Sequence, residues 1–582
     1  MLLLALVAAA ALYAPTVARG LVNYDDPWLV RDNWIVTNPS WGSLHAIWFD
    51  LSRETRFVLG AEYLPVRDVS IMLDHVVWGS GYGGFHVTNV LIYLAAIALW
   101  FAALSELGID RRVLGVMALV WALHPSHAES VAWISERKGL LGAMFAGATA
   151  LAYARFRAGR SARWIWVAVF TTLCAVWSKA PSAFAIAALG GLEVALPAKR
   201  VSWKRSLVGL GVLGVVGVVA FLPVLAAALR ATVIGTDDHA PAGWLEMALG
   251  IHGFYLRLGV LAMRSSPSYE IGTLGPSWID VAVGALGMLV IAAIALASGR
   301  GKLRTPPELR AAAVLWLFGW FPASRLVLPM HAVLVSDRYL LLPTLGIALA
   351  VGAGVMRIAS PRARRALIGT IVIACALRTL DAQSTWRDNL TLWQRAVATN
   401  PSDGNAWSMY ADAVMEAGRM DLAFDVIHVA LRHSRSPRLL LRKALLVLQG
   451  APRADGIRAM RDAAVAGEPR AMMNLALLLL EDGKLDEALD WATRGAQALP
   501  MHAPAHRALG KVALAAKRPE LALEEFASAL RFEPMNPANK YNMALALIAL
   551  RRPEQARPYL EACRSDPSLA SRARVLLDEM RR

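Results

Sequence analysis

The chain contains few charged residues and very little cysteine. Of its 582 residues only 18% are Asp, Glu, Lys or Arg, whereas 57% are hydrophobic. A soluble protein of this length cannot cover so much apolar surface, so the composition excludes an ordinary soluble enzyme and indicates an integral membrane protein. The three cysteines, Cys174, Cys375 and Cys563, lie far apart. They show neither the spacing of a metal site nor that of a disulfide framework.

Acidic residues are also scarce relative to basic ones. The chain has 44 acidic and 60 basic residues and a formal net charge of +16. In a soluble domain such a charge would indicate nucleic acid as the partner. Here the basic residues lie between apolar segments, where membrane topology explains them. We therefore expect membrane lipids, and no nucleic acid, as partners.

Long hydrophobic runs are abundant in the first two thirds of the chain. About eleven of them meet or approach the length that a bilayer-spanning helix needs. We predict an all-α fold, with a polytopic membrane domain over residues 1–384 and a second helical domain over residues 385–582. The predicted crossings are residues 1–18, 86–105, 112–125, 138–156, 164–178, 181–197, 206–229, 278–298, 311–329, 338–356 and 366–381.

The linkers between these runs differ in charge. Arginine and lysine concentrate in alternate linkers, as at residues 155–163, 199–205 and 300–304. By the positive-inside rule these linkers and the N-terminus are cytoplasmic. The repeats after residue 381 are then external, which means the periplasm in a bacterium or the endoplasmic reticulum lumen in a eukaryote.

Two apolar segments need separate treatment. Residues 1–18 lack the basic region of a signal peptide, so we expect them to be retained as a first helix. Residues 244–264 are apolar but contain Glu246, His252 and Arg257. A single crossing there would place the later basic linkers outside, so we expect an interfacial or re-entrant helix.

The last third of the chain repeats with a period of about 34 residues. Small residues recur where two antiparallel helices would cross, and a proline follows the second helix. In the clearest unit these positions are Gly510, Ala522, Phe526, Ala529 and Pro534. This pattern is typical of tetratricopeptide repeats and predicts an α-solenoid. Such arrays present a concave surface to peptides or proteins, so we expect a protein partner.

Two adjacent carboxylates, Asp25 and Asp26, follow the first apolar segment. Charges so close to hydrocarbon are costly unless they are solvated or used. Taken alone, such a pair is more often a solvated helix end. Several other polar motifs also fall on the predicted external side, which favours a functional interpretation.

These motifs together resemble a known family. They are Tyr24-Asp25-Asp26, Gly-Phe-His-x-x-Asn at 84–89, His-Pro-Ser-His-Ala-Glu-Ser-Val-Ala-Trp-Ile-Ser-Glu-Arg-Lys at 124–138, Ser-Lys at 178–179 and Asp-Arg-Tyr-Leu-Leu-Leu-Pro at 337–343. With the repeats, they resemble the transmembrane and tetratricopeptide repeat-containing O-mannosyltransferases of the GT-C superfamily. The block at 124–138 is the most specific of them.

The resemblance implies a transferase that takes its sugar, mannose in the family, from a polyprenyl-phosphate donor on the external face. It implies that an acid of the first external loop is the catalytic base and that the configuration is inverted. Asp25 and Asp26 are the candidates, and we favour Asp26 because it adjoins the turn-forming Pro27. The other acid could orient the acceptor or bind a metal.

Further roles follow from chemistry and from the same resemblance. Cations at the membrane surface can stabilise a lipid phosphate as it leaves. Four such cations are external in the predicted topology. Lys and Arg side chains at a membrane surface can also be explained by snorkelling, in which the charged end reaches water from an apolar helix. The candidates are Arg338, Lys179, Arg137 and Lys138 for donor phosphate, and Tyr24, His124, His127 and Glu129 for substrate.

A metal site and a cofactor have little support in the sequence. The spacing of His124 and His127, with Glu129 nearby, permits metal binding. The sequence does not offer a clear third ligand. We expect no cofactor beyond the lipid-linked sugar, with a divalent metal left open.

Two other functions remain open. The chain could be a non-catalytic membrane scaffold whose repeats organise an envelope protein complex, or a transferase whose acceptor is a glycan or a lipid. A scaffold needs the repeats but has no use for membrane-edge carboxylates that face cations.

Overall fold

A computed structural model describes residues 1–196, 202–230, 243–261, 265–297, 305–324, 326 and 335–580. The predicted basic linker at 300–304, and part of that at 199–205, lie outside these ranges. The described residues form helices and turns without strands, which confirms the all-α prediction.

The chain divides into two compact units, Met1–Asn400 and Pro401–Arg582. This boundary lies later than the change in sequence character at residues 384/385. The reason is that helix Asn389–Thr399 packs against helix Pro361–Thr385, which belongs to the first unit.

Each of the eleven predicted apolar runs contains a helix. These helices are Leu2–Tyr13, Tyr82–Glu106, Arg111–Ala122, Arg137–Arg157, Arg163–Ser178, Phe184–Ala195, Trp203–Arg230, Trp278–Leu296, Pro307–Trp320, Pro343–Met356 and Pro361–Thr385. Among the described residues five helical segments are long and apolar enough to cross a membrane, namely Tyr82–Glu106, Ile134–Arg157, Trp203–Arg230, Trp278–Leu296 and Pro361–Thr385. The chain is therefore a membrane protein, and its remaining apolar helices are shorter.

The core of the first unit fixes the ends of these helices relative to one another. Helix Tyr82–Glu106 packs along Arg137–Arg157, and Leu2–Tyr13 packs on Arg111–Ala122. Short helices fill the segment between the first two apolar runs, at Trp34–Thr37, Trp41–Trp48, Arg53–Val58 and Pro65–Trp78. This packing brings the loop after residue 20 against the start of Arg137–Arg157.

The segment at 244–264 forms helix Trp244–Leu261, which packs along helix Trp278–Leu296. Glu246 is exposed at its start, whereas Arg257 and His252 are paired inside the protein. Arg257 Nη1 donates to Asp280 Oδ1 at 2.6 Å, and His252 Nδ1 lies 2.9 Å from Gly284 O. Because these groups are satisfied by neighbouring helices, they do not by themselves keep this helix out of the membrane.

The close crossing of these two helices gives a stability prediction. A Cβ atom added at Gly284 would lie 1.9 Å from Leu249 O, a backbone atom that cannot swing away. Gly284→Ala should therefore destabilise the first unit by about 1–3 kcal/mol or more through overpacking, measured as a lower midpoint of thermal unfolding in detergent. Gly354→Ala is the matched control, because a Cβ there meets no atom within 4 Å. Equal midpoints for Gly284→Ala and the wild type would contradict the crossing.

The second unit is a stack of antiparallel helix pairs. Proline opens many of its helices, at a position where the missing N–H is not needed. The helices are Gly404–Glu416, Met420–His433, Pro437–Gly450, Arg453–Val465, Pro469–Glu481, Leu485–Ala498, Ala503–Ala515, Pro519–Phe532, Pro537–Ala549, Pro553–Ala562 and Ala570–Glu579. Ala522, Phe526 and Ala529 are fully buried, as the repeat pattern requires.

Candidate active site

The carboxylate of Asp26 is a structural anchor. It is buried, and its Oδ1 accepts hydrogen bonds from the backbone N and the Oγ of Ser135, at 2.9 and 2.5 Å. Its Oδ2 accepts from Val22 N at 3.1 Å. Burial raises the pKa of Asp26 to about 6 although these hydrogen bonds oppose the shift. Asp26 therefore ties the first loop to the short helical turn Ile134–Glu136.

The carboxylate of Asp25 is differently placed. It is half-buried and makes no hydrogen bond or ion pair with the part of the chain that the structure describes. Burial raises its pKa above the ordinary value, while the charges of Lys138 and Arg338 oppose this shift. The Asp25 carboxylate is thus able to accept a proton or a hydrogen bond, and it lies in the electrostatic field of Lys138 and Arg338.

Arg338 is held in place by a carboxylate and two aromatic rings. Its Nη1 donates to Glu129 Oε1 at 2.5 Å, and its backbone N donates to Glu129 Oε2 at 3.0 Å. The guanidinium lies over the rings of Trp133 and Tyr339, at 5.4 and 5.1 Å from their centroids. The geometry brings Glu129 and Arg338 together although they are distant in sequence.

Two lysines of the predicted set are also paired with acids. Lys138 Nζ donates to Glu62 Oε2 at 2.8 Å, and Lys179 Nζ is paired with Glu136. Burial would raise the pKa of Glu62, but Lys138 and Arg67 lower it to about 2. Lys138, Lys179 and Arg338 thus each have a carboxylate partner, and Glu136 also lies 3.8 Å from Arg338 Nε.

Arg137 does not share this site. It is fully buried and forms an ion pair with Asp74 at 2.5 Å. Its Nε donates to Asn89 Oδ1 at 2.7 Å, and its Nη2 donates to Phe85 O at 2.9 Å. These contacts give Arg137 the role of holding helices together, so the geometry does not support the predicted phosphate contact.

His124 and His127 are buried among helices rather than exposed to a substrate. The two ring nitrogens of His124 contact Ser126 Oγ at 2.7 Å and Gly259 O at 2.8 Å. Those of His127 contact Tyr93 OH at 2.7 Å and Thr344 Oγ1 at 2.8 Å. Both imidazoles are buried and fully engaged, so they serve as packing groups inside the protein.

Metal-ligating groups are not assembled here. The described residues contain no cluster of three or more His, Cys, Asp or Glu side chains that could hold a metal ion. With both nitrogens of each histidine in hydrogen bonds, the pair His124 and His127 does not fit a metal site.

An aromatic cluster holds the residue before Asp25. The ring of Tyr24 stacks on Trp393 with centroids 5.5 Å apart and meets the edge of Trp133 at 4.8 Å. Trp133 in turn stacks on Trp386 at 5.4 Å. The backbone N of the preceding residue, Asn23, donates to Asn389 Oδ1 at 2.6 Å. The cluster fixes the backbone from which Asp25 projects.

Sequence reasoning missed several of these residues. Glu136 lies inside the motif at 124–138 and could have been found from it. Glu62, Trp386 and Trp393 carry no local signal, because their role depends on contacts with residues far away in the chain.

Asp26→Asn should act mainly on stability. An amide keeps one acceptor oxygen and presents its NH₂ group to a backbone N–H, so one buried donor loses its partner. We expect a loss of about 1–3 kcal/mol of unfolding free energy, measured by thermal unfolding at pH 7. Asp32→Asn, a change in an exposed side chain, is the control.

The pH dependence provides a second check on Asp26. Its pKa is raised from 3.8 to about 6 on folding, so the folded state binds more protons in this range. The stabilising contribution of Asp26 is present below pH 4 and is lost as the pH rises through 6. The stability difference between the wild type and Asp26→Asn should change over this window, and a constant difference would contradict the assignment.

Comparison with known proteins agrees with the motifs. The chain is similar to Protein O-mannosyl-transferase TMTC3 of Homo sapiens, with 23% identity over 85% of this chain and 60% of the relative. It is also similar to Protein O-mannosyl-transferase Tmtc2 of Drosophila melanogaster, with 34% identity over 19% of this chain and 12% of the relative. The chain thus spans about three fifths of the length of the human relative.

The repeats are matched separately. A family model of the tetratricopeptide repeat matches residues 376–437 and 441–500. Among solved structures, PilF of Pseudomonas aeruginosa is 21% identical, with a TM-score of 0.28 over 30% of this chain and 82% of that one. The sequence matches confirm a resemblance to transmembrane, tetratricopeptide repeat-containing O-mannosyltransferases.

Proposed function

We propose that the chain is a membrane glycosyltransferase that moves a mannosyl group from a polyprenyl-phosphate donor to a Ser or Thr hydroxyl of a protein. The observation that carries this proposal is the carboxylate of Asp25, which is unpaired among the described residues and lies in the field of Lys138 and Arg338, while Lys179 is paired with the neighbouring Glu136. A base and several cations in one site suit a reaction in which a hydroxyl loses a proton and a phosphate leaves. The named relatives support the same chemistry.

Asp25, rather than Asp26, is the base in this proposal. The sequence favoured Asp26, but both oxygens of Asp26 already accept hydrogen bonds. Asp25 has no such partners among the described residues, so it can accept the proton of the incoming hydroxyl. Its raised pKa also makes it a stronger base than an exposed Asp.

The proposed step balances as a single displacement. The acceptor oxygen attacks the anomeric carbon and forms a new C–O bond, while its proton passes to Asp25. The bond from the anomeric carbon to the phosphate oxygen breaks, and its electron pair stays on the polyprenyl phosphate. Attack from the face opposite the leaving group inverts the configuration.

The three cations are proposed to receive the phosphate. Lys138, Lys179 and Arg338 are 17%, 16% and 10% exposed, so each keeps a small accessible area for a ligand. A phosphate oxygen would share each cation with its resident carboxylate. Arg338, fixed by Glu129 and two rings, supplies a preorganised charge for the leaving group.

Membrane placement and acceptor binding complete the proposal. Exposed tryptophans at or near the starts of apolar helices, including Trp203, Trp244 and Trp278, suit the membrane interface. We place Asp25 and the repeats on the external face, with the repeats recruiting the acceptor protein.

Mapping of modified residues in cells tests the proposal. The full chain or its Asp25→Asn variant is expressed in a host that lacks it, and hexoses on Ser and Thr of external proteins are mapped by mass spectrometry. New modified sites should appear with the wild type and be absent with Asp25→Asn. If both chains give the same new sites, Asp25 is not the base. If neither gives any while both restore an envelope complex, the scaffold function stands instead.

A further inference from the structure

A cavity of about 300 Å³ lies at the far ends of two long helices of the first unit. It opens where helix Tyr82–Glu106 ends, helix Arg111–Ala122 begins and helix Arg137–Arg157 ends. The lining includes Phe101, Ser105, Glu106, Arg111, Arg155 and Arg160. None of these residues belongs to the candidate active site.

The cavity lies at the level of the membrane surface that is opposite to the Asp25 side. Helix Arg137–Arg157 has 21 residues, which corresponds to about 30 Å at 1.5 Å per residue. Its first turn carries Lys138 of the active site and its last turn carries Arg155. Because the hydrocarbon core of a bilayer is also about 30 Å thick, Arg155 lies at the headgroup level of the leaflet away from Asp25.

The charges of the cavity are not balanced. Glu106 is the acid in its lining, and it lies 2.8 Å from Arg160 Nη2 and 3.5 Å from Arg155 Nε. Arg111 donates from Nε to Ser105 Oγ at 3.2 Å and makes no ion pair with any residue in the described ranges. One carboxylate thus faces three guanidinium groups, so the cavity attracts an anion.

A largely apolar space adjoins this charged one. A second cavity of about 400 Å³ shares Phe101 and Arg111 and is lined also by Met1, Leu2, Leu3, Arg112 and Gly115. A ligand that fills both spaces needs an anionic head and a hydrocarbon chain. Soluble phosphate would satisfy the arginines but leave the apolar walls uncovered.

We propose that the paired cavities bind an anionic glycerophospholipid. Its headgroup phosphate contacts Arg111, Arg155 and Arg160, and an acyl chain lies along Phe101 and Leu3. Arg155 is preorganised for this contact because its guanidinium lies over the ring of Trp164, 4.5 Å from the centroid. This site is separate from the transferase chemistry and does not depend on it.

Lipid titration of the purified full chain tests this site. The protein is placed in a neutral detergent and titrated with phosphatidylglycerol or phosphatidylcholine, and bound lipids are counted by native mass spectrometry. Arg111→Gln combined with Arg160→Gln should weaken phosphatidylglycerol binding by about 10–30-fold. Arg362→Gln, a change in an exposed arginine at the start of helix Pro361–Thr385, should leave it unchanged.

Three results would overturn the proposal. These are equal phosphatidylglycerol binding by the double variant and the wild type, equal affinity of the wild type for the two lipids, and binding of glycerol 1-phosphate, titrated in the same way, as tight as that of phosphatidylglycerol. The last result would indicate a soluble-phosphate site. If the double variant fails to fold, Arg111→Gln alone decides the question, because Arg111 makes no ion pair whose loss could unfold the described part of the chain.

Discussion

Replacing Asp25 by Asn should lower the transfer rate by about 10²–10⁴-fold while the protein folds and inserts normally. Asn has nearly the same shape as Asp but cannot accept a proton at neutral pH. Because the Asp25 carboxylate has no hydrogen bond or ion pair with the described residues to lose, the midpoint of thermal unfolding should stay near that of the wild type. The measurement is the initial rate of peptide modification at saturating donor.

Two comparisons make this result specific. Asp32→Asn changes an exposed acid of the same loop, 58% exposed, and should keep the full rate. The wild-type rate should also fall on acidification at a pH above the ordinary range of Asp, since burial raises the pKa of Asp25. Full activity of Asp25→Asn, with loss of activity in Asp26→Asn at unchanged stability, would show that the base has been assigned to the wrong acid.

Arg338→Ala should give the second large effect, on both catalysis and stability. It removes the guanidinium that we propose stabilises the leaving phosphate, which we expect to cost about 10²–10³-fold in rate. It also leaves Glu129, which is buried, without its partner charge. Removing one member of a buried pair destabilises a protein by about 3–5 kcal/mol.

A conservative change separates the two effects. Arg338→Lys keeps the charge beside Glu129 and should recover much of the stability, but it loses the planar group that lies over Trp133 and Tyr339. We therefore expect a folded protein with reduced turnover. Arg357→Ala breaks a more exposed pair with Glu308 and serves as the control for loss of an arginine. The phosphate role would be contradicted if Arg338→Lys turned over at the wild-type rate and the defect of Arg338→Ala were the same at every donor concentration.

Much of the architecture follows from short-range features of the sequence. Apolar runs require helices because a bilayer offers no partners to unpaired backbone groups, so every predicted run contains a helix. The repeats can be predicted from the sequence because the spacing of Ala522, Phe526 and Ala529 indicates where two helices cross within one repeat. Both signals lie within a few tens of residues and need no knowledge of distant contacts.

The assignment of roles within the site was harder to predict. His124, His127 and Arg137 look exposed and reactive in a motif rich in polar residues, but their partners Gly259, Thr344 and Asp74 lie elsewhere in the chain. The same is true of Asp26, whose engagement by Ser135 reverses the preference between the two acids. Such pairings depend on the tertiary packing and leave no periodic signal.

A single-turnover reaction with purified protein tests the central proposal most directly. The full chain is loaded with radiolabelled mannosyl polyprenyl phosphate and mixed with a Ser/Thr peptide, and lipid phosphate and modified peptide are measured in the same samples. We predict one released lipid phosphate per modified hydroxyl in the wild type, and neither product at a comparable rate in Asp25→Asn. Release of no lipid phosphate from any polyprenyl-linked sugar, by folded protein whose repeats still bind the peptide, would contradict the account.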